Sequence, residues 1–74
     1  MEVKEIEKRV LDAFSNCQVA VFDMTGIGES FEIRLSTPDL ADEPRVSRHQ
    51  KIMAVFDNEL KAGDIHALTI KYLN

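Results

Sequence analysis

The longest regular alternation of apolar and polar positions fills the last thirty residues, RVSRHQKIMAVFDNELKAGDIHALTIKYLN, from Arg45 to Asn74. Val46, His49, Met53, Phe56 and Leu60 recur at steps of three or four, the spacing that stacks side chains on one helix face, and Ile52 and Val55 widen that face. The spacing predicts one long helix over about 45–62, with His49 on its core-facing side. Gly63 stands where a helix ends on a residue that tolerates positive φ. Ile65 to Ile70 then reads as a strand, and the final strand is expected over about 65–72. This places His66 within a turn or so of the helix end.

The same rules organise the first half. Val3, Ile6, Val10 and Phe14 form one stripe, with Leu11 and Ala13 beside it, and predict a helix over 2–15. Glu5 with Arg9 and Lys8 with Asp12 are opposite charges four residues apart, which support a helix. Ser15-Asn16 ends it, because both side chains compete for backbone partners. Gln18 to Met24 follows as a strand, with Val19 and Val21 on one face and Phe22 on the other. Asp23 to Glu29 is a turn given freedom by Gly26 and Gly28. Ser30 to Ser36 is the clearest strand: Phe31, Ile33 and Leu35 alternate with Glu32 and Arg34. The two strands are expected to pair antiparallel. Thr37-Pro38-Asp39-Leu40 supplies a cap, a first-turn proline and a first-turn acid, so a short helical turn of 3₁₀ type is expected, ending near Asp42. Pro44 disfavours helix at Glu43 and separates this turn from the long helix.

The element order is α-β-β-(short α)-α-β, an α+β fold in a single small domain over 1–74. A helical crossover between the second and third strands implies parallel pairing and a right-handed connection. The expected architecture is a three-stranded mixed sheet with both long helices on one face.

Composition narrows the function. A chain of 74 residues buries a modest core and leaves no room for a large enclosed active site. With 45% hydrophobic and 30% charged residues it is not a disordered chain. The one cysteine, Cys17, excludes an internal disulfide and points to a reducing, cytoplasmic compartment. No apolar run approaches the roughly 20 residues that span a bilayer, and MEVKEIEKRV is unlike a signal or transit peptide. A net charge of −4 counts against general attraction to nucleic acid but leaves room for a local basic patch.

Four features bear on chemistry. The segment Pro38 to Ala62 can be read as a helix-turn-helix in which Arg45, Arg48, His49 and Lys51 face phosphates or bases. A solvated basic helix start is the plainer reading. His66 carries an imidazole, a borderline-soft donor able to ligate zinc, iron or copper, although a lone histidine at a strand start is more often structural and one imidazole holds no metal by itself. Cys17 can ligate or react, but a small buried hydrophobe is its commoner role. Gly26-Ile27-Gly28 lacks the lysine of a phosphate-binding loop and joins two strands, so it is a turn. No nucleophile–base set is apparent, and the chain is not expected to be an enzyme.

The stretch from Arg45 to Ile70 resembles the signature half of BolA-like proteins. The resemblance rests on Arg45, Val46, Arg48-His49, Glu59-Leu60 and Ile65-His66-Ala67-Leu68-Ile70. Ser30-Phe31 with its strand and Leu40 also fit, and the likeness runs over about residues 3–72. It implies an α-β-β-α-α-β fold related to the second type of KH domain. It also implies a monothiol glutaredoxin as partner and a 2Fe–2S cluster shared between the two chains, with His66 as the ligand from this one. Some bacterial members of the family are described as DNA-binding regulators. The expected function is therefore a non-enzymatic adaptor in iron–sulfur cluster binding, transfer or iron homeostasis, alone a monomer or weak homodimer. The alternative is a DNA-binding regulator using Arg45, Arg48 and Lys51; a plain interaction module is the third possibility. The sequence departs from the family at two places. The loop from Asp23 to Ser30 holds neither His nor Cys, so the second cluster ligand is unassigned; Asp23 and Glu29 offer only oxygen, and Cys17 lies at the wrong end of its strand. The Phe-x-Gly-x-Ser turn of the family reads Leu40-Ala41-Asp42-Glu43-Pro44.

Overall fold

β2 (Ser30–Ser36) is the middle strand of the sheet and its most buried. Phe31, Ile33 and Leu35 are buried on one face of it, as their alternation requires. β1 (Gln18–Asp23) lies on one side, antiparallel, with Gln18 opposite Ser36 and Asp23 opposite Phe31. β3 (Ala67–Tyr72) lies on the other side, parallel, with Ser30 opposite Ala67 and Leu35 opposite Tyr72. The computed structural model describes residues 1–73; Asn74, the last residue of the expected domain, lies outside them.

α1 (Val3–Ala13) buries Ile6 and Val10 against this face, and the Glu5 carboxylate accepts the Glu2 N–H at its start. The chain turns after it through Phe14, which is extended, and Asn16, at φ 50°. Thr37, itself buried, caps a single 3₁₀ turn, Pro38–Leu40, by accepting the Asp39 N–H, and its hydroxyl donates to the Ser15 carbonyl at 2.7 Å. Leu40 anchors this turn in the core. The remaining core residues are Ile52, Phe56 and Ile65. The helices thus cover one face of the sheet, and Ala20, Phe22, Arg34, Thr69 and Lys71 remain exposed on the other. Glu32 is the exception on that open face. It is buried between Arg34 at 2.7 Å and Lys71 at 3.4 Å, and the hydrogen bond from Arg34 holds its carboxyl below the usual glutamate range.

Two expectations are corrected. The helix over 45–62 is two helices, α2 (Arg45–Val55) and α3 (Asp57–Ala62). At Phe56 the backbone leaves helical geometry, φ −111° and ψ 18°, and its N–H turns to the Met53 carbonyl at 3.0 Å. Phe56 is fully buried, and Asp57 and Glu59 restart the helix with the negative charge that its first turn favours. Burial of Ile52 and Phe56 together outweighs the propensity for one straight helix.

The second correction is rotational. Ile52 and Phe56 are at the centre of the buried side, whereas Val46 is 68% exposed and His49 points to solvent. Steps of three or four can be drawn through His49 or, one line round, through Arg48, Ile52 and Phe56. The fold uses the second line, which leaves His49 outside the core. A smaller shift concerns β3, which begins at Ala67 rather than Ile65.

Candidate functional site

The end of α3 builds the corner that holds His66. Gly63 takes φ 83° and ψ 8°, the left-handed conformation that closes a helix at no steric cost to glycine. Two residues on, Ile65 is buried and its N–H returns to the Glu59 carbonyl at 3.2 Å. With Ile65 pinned inside, the next side chain turns outward. The His66 imidazole is 58% exposed, so it is neither sealed in the core nor consumed by it.

The backbone of His66 is held by the loop between β1 and β2. Its N–H donates to the Glu29 carbonyl at 2.7 Å, and the Ala67 N–H points to the same oxygen at 3.5 Å. The Glu29 carboxylate then comes within 3.5 Å of His66 Nδ1. Sequence reasoning offered Glu29 as a possible oxygen donor but did not place it beside His66. The signal was there: once β2 and β3 pair in parallel with Ser30 opposite Ala67, the residues before each strand, Glu29 and His66, are neighbours.

Asp23, the other acid considered in this loop, has a different task. Its carboxylate accepts from the N–H groups of Gly28, Gly26 and Thr25 at 2.9, 2.9 and 3.1 Å, and from the Thr25 hydroxyl at 3.2 Å. Desolvation works to raise this carboxyl, but the bonds from Gly28, Gly26 and Thr25 together hold it below the ordinary aspartate range. Asp23 is thereby spent on shaping a loop whose Met24 and Ile27 stay exposed.

Cys17 lies at the opposite end of the sheet from His66, just before the β1 residue paired with Ser36. It is a free, part-buried thiol, pushed up by desolvation and then by the charge of Asp39. Among the described residues no group of three or more His, Cys, Asp or Glu side chains is placed to hold a metal ion. His66 therefore fits a metal site only as one donor in a set completed elsewhere.

The residues of the helix-turn-helix reading lie apart from this corner. The first helix of that motif is only the 3₁₀ turn Pro38–Leu40. Arg45 and His49 are exposed at the start of α2. The Arg48 guanidinium lies 4.3 Å from the centre of the Tyr72 ring, and Lys51 is paired with Glu43. Arg45, Arg48, His49 and Lys71 border an open groove of about 830 Å³ between α2 and β3, floored by Ile52 and Ile70.

A small α+β domain with a β1-β2-β3 mixed sheet, helices on one face and an outward histidine at the α3–β3 corner is the class defined by this geometry. The family model for BolA-like protein matches residues 8–74, and the chain belongs to the BolA-like family. Solved structures agree on the fold. BolA1 from Arabidopsis thaliana superposes with a TM-score of 0.84 at 17% identity, covering 97% of this chain and 92% of that one. A bol-like protein from Babesia bovis gives 0.83 at 20% identity, with 99% and 84% covered. A bolA protein homologue from Coxiella burnetii gives 0.77 at 20% identity, with 97% and 88% covered. No curated protein matches the chain in sequence.

Proposed function

We propose that this protein is a non-enzymatic adaptor that pairs with a monothiol glutaredoxin and contributes His66 to a shared 2Fe–2S cluster. The observation that carries the reading is the His66 ring, held at a stiff helix-to-strand corner yet more than half open to solvent. Imidazole replaces thiolate in some iron–sulfur centres, so a single outward nitrogen is a sensible contribution to a cluster held mainly by a partner's sulfur. When bound, the cluster supplies the iron that accepts this nitrogen and any redox chemistry; this chain's residues orient the ring and provide the docking surface. Met24 and Ile27 are exposed on the loop that ends at Glu29 and offer apolar contact to a partner. Among the described residues no helix is long and apolar enough to cross a membrane. The unpaired thiol of Cys17 suits a reducing, cytoplasmic setting.

The test is to mix the protein with cluster-loaded monothiol glutaredoxin and follow visible circular dichroism. The wild type should change the cluster's spectrum and His66→Ala should not. An unaltered spectrum with the wild type overturns the reading.

A second reading, DNA binding, draws on the cationic border of the α2–β3 groove, where Arg45 and His49 are free to solvent. Saturable binding that weakens steeply with salt and depends on sequence would support it. The pairing of Lys51 with Glu43 and the seat of Arg48 on Tyr72 reduce the charge those two residues can offer phosphate.

A further inference from the structure

We infer that Glu29 is a positioning residue for His66: its carboxylate holds the proton of the imidazole on Nδ1 and leaves Nε2 bare and directed outward. The inference rests on the adaptor reading for its use, but its geometry stands independently.

Two contacts of different kind bring the pair together. The first is main-chain. The Glu29 carbonyl accepts the His66 N–H at 2.7 Å, directly ahead of the first β2–β3 register pair, Ser30 with Ala67. The second is side-chain. Glu29 Oε2 lies 3.5 Å from Nδ1 of the ring. An imidazole has two nitrogens, and a carboxylate beside one of them favours the tautomer that carries its proton there. The other nitrogen is then the lone-pair donor. In metal proteins a ligating histidine almost always gives its second ring N–H to a carboxylate, carbonyl or water, which sets both tautomer and ring orientation. The Glu29 carboxylate, 3.5 Å from Nδ1, stands on the side of the ring where such a partner is needed, and a small rotation of its side chain closes the hydrogen bond. The alternative, Glu29 as a direct oxygen ligand, fits less well, because its carboxylate faces the nitrogen nearer the ring's attachment rather than the free edge.

The arrangement also accounts for a loop without His or Cys. Asp23 is committed to the loop backbone, so Glu29 is the loop acid left to act on the ring. This chain then supplies one ligand and its orienting carboxylate rather than two ligands.

The main-chain bond makes the test clean. It uses the Glu29 carbonyl, which every substitution retains, so Glu29→Ala leaves the strand pairing in place and removes only the carboxylate. The measurement is the ring nitrogen resonances of His66 in a long-range proton–nitrogen correlation spectrum of the full chain, at about pH 8, where an ordinary imidazole is neutral. The wild type should show a protonated Nδ1 and an unprotonated Nε2. Glu29→Ala should lose that bias, and Glu29→Gln, which keeps an accepting oxygen, should restore part of it. His49, exposed on α2, serves as the internal control and should not change. In titrations of cluster-loaded glutaredoxin, Glu29→Ala should move the midpoint of the dichroism change by roughly 10–100-fold, the usual cost of losing such a partner. A wild-type His66 protonated on Nε2, or a Glu29→Ala spectrum with the wild-type tautomer, overturns the inference. If the wild type fails to alter the glutaredoxin cluster, the adaptor reading falls, and the nitrogen resonances still decide the role of Glu29.

Discussion

Arg9 of α1 donates to Glu59 of α3 at 2.9 Å, and the same guanidinium donates to the Val55 carbonyl and lies 5.3 Å from the centre of the Phe56 ring. One side chain therefore gathers the three residues around the break between α2 and α3. Val55 ends α2, and its carbonyl is among those that a helix end leaves without a partner. Glu59 in turn receives the Ile65 N–H on its own carbonyl, so the link from α1 reaches the corner that presents His66.

Arg9→Met keeps the apolar stem and removes the guanidinium. A hydrogen bond from a charged donor to a carbonyl is generally worth about 1.5–3 kcal/mol, and partial exposure of Arg9 lowers that to about 1–2 kcal/mol. In a domain of this size the expected fall in Tm is about 4–16 °C. Lys8→Met, which removes an exposed pair with Asp12, should cost much less. Thermal scans that rank the two variants the other way would show that Arg9 does not stabilise the junction.

The rotational phase of α2 can be tested by paired substitutions. Phe56→Ala should cost about 3–5 kcal/mol and Ile52→Ala about 2–5 kcal/mol, because each empties a fully buried site. Val46→Ser and His49→Ser, both outward, should stay within about 0.5 kcal/mol of wild type. Urea unfolding midpoints measure all four.

Gly63→Ala isolates a backbone cost. A Cβ added at this position meets no atom within 4 Å, so no clash contributes. The left-handed φ alone should cost about 1–2 kcal/mol, and Gly63→Asn should cost less, since asparagine visits that region more readily. A neutral alanine variant by calorimetry would mean the chain relaxes out of this conformation.

Acid should destabilise the fold, with a sign that follows from its carboxylates. Asp23, Glu32, Glu43 and Glu59 are all held below their ordinary values: Glu32, Glu43 and Glu59 chiefly by hydrogen bonds from Arg34, Lys51 and Arg9, and Asp23 by the loop bonds that outweigh its desolvation. Each releases its proton more readily when folded than when unfolded. The unfolded chain therefore binds more protons in acid, and stability rises with pH there. The contribution is complete above the unfolded carboxylate range, from about pH 5 upward, and is lost as the pH falls through the folded values. Urea midpoints measured against pH should show this acid limb, and Asp23→Ala should flatten part of it.

Cys17 gives the opposite limb. Its thiol is raised by desolvation and by Asp39, so it should alkylate more slowly than a free cysteine at neutral pH. The stability linked to the protonated thiol is present below the unfolded cysteine value and fades as pH rises through the folded one. Iodoacetamide rates against pH check the first statement directly.

Much of this protein is written in short-range patterns. The alternation of Phe31, Ile33 and Leu35 specifies β2 residue for residue, Thr37-Pro38 specifies the 3₁₀ turn, and Gly63 specifies where the last helix stops. These features act between residues a few positions apart, so the sequence carries them unaided. The break at Phe56, the choice of Ile52 over His49 as the buried line and the meeting of Glu29 with His66 belong to the tertiary structure. Several helical lines through α2 satisfy the same spacing, and only packing against α1 and the sheet selects one. Glu29 and His66 are far apart along the chain, and only the parallel register of β2 and β3 sets their distance.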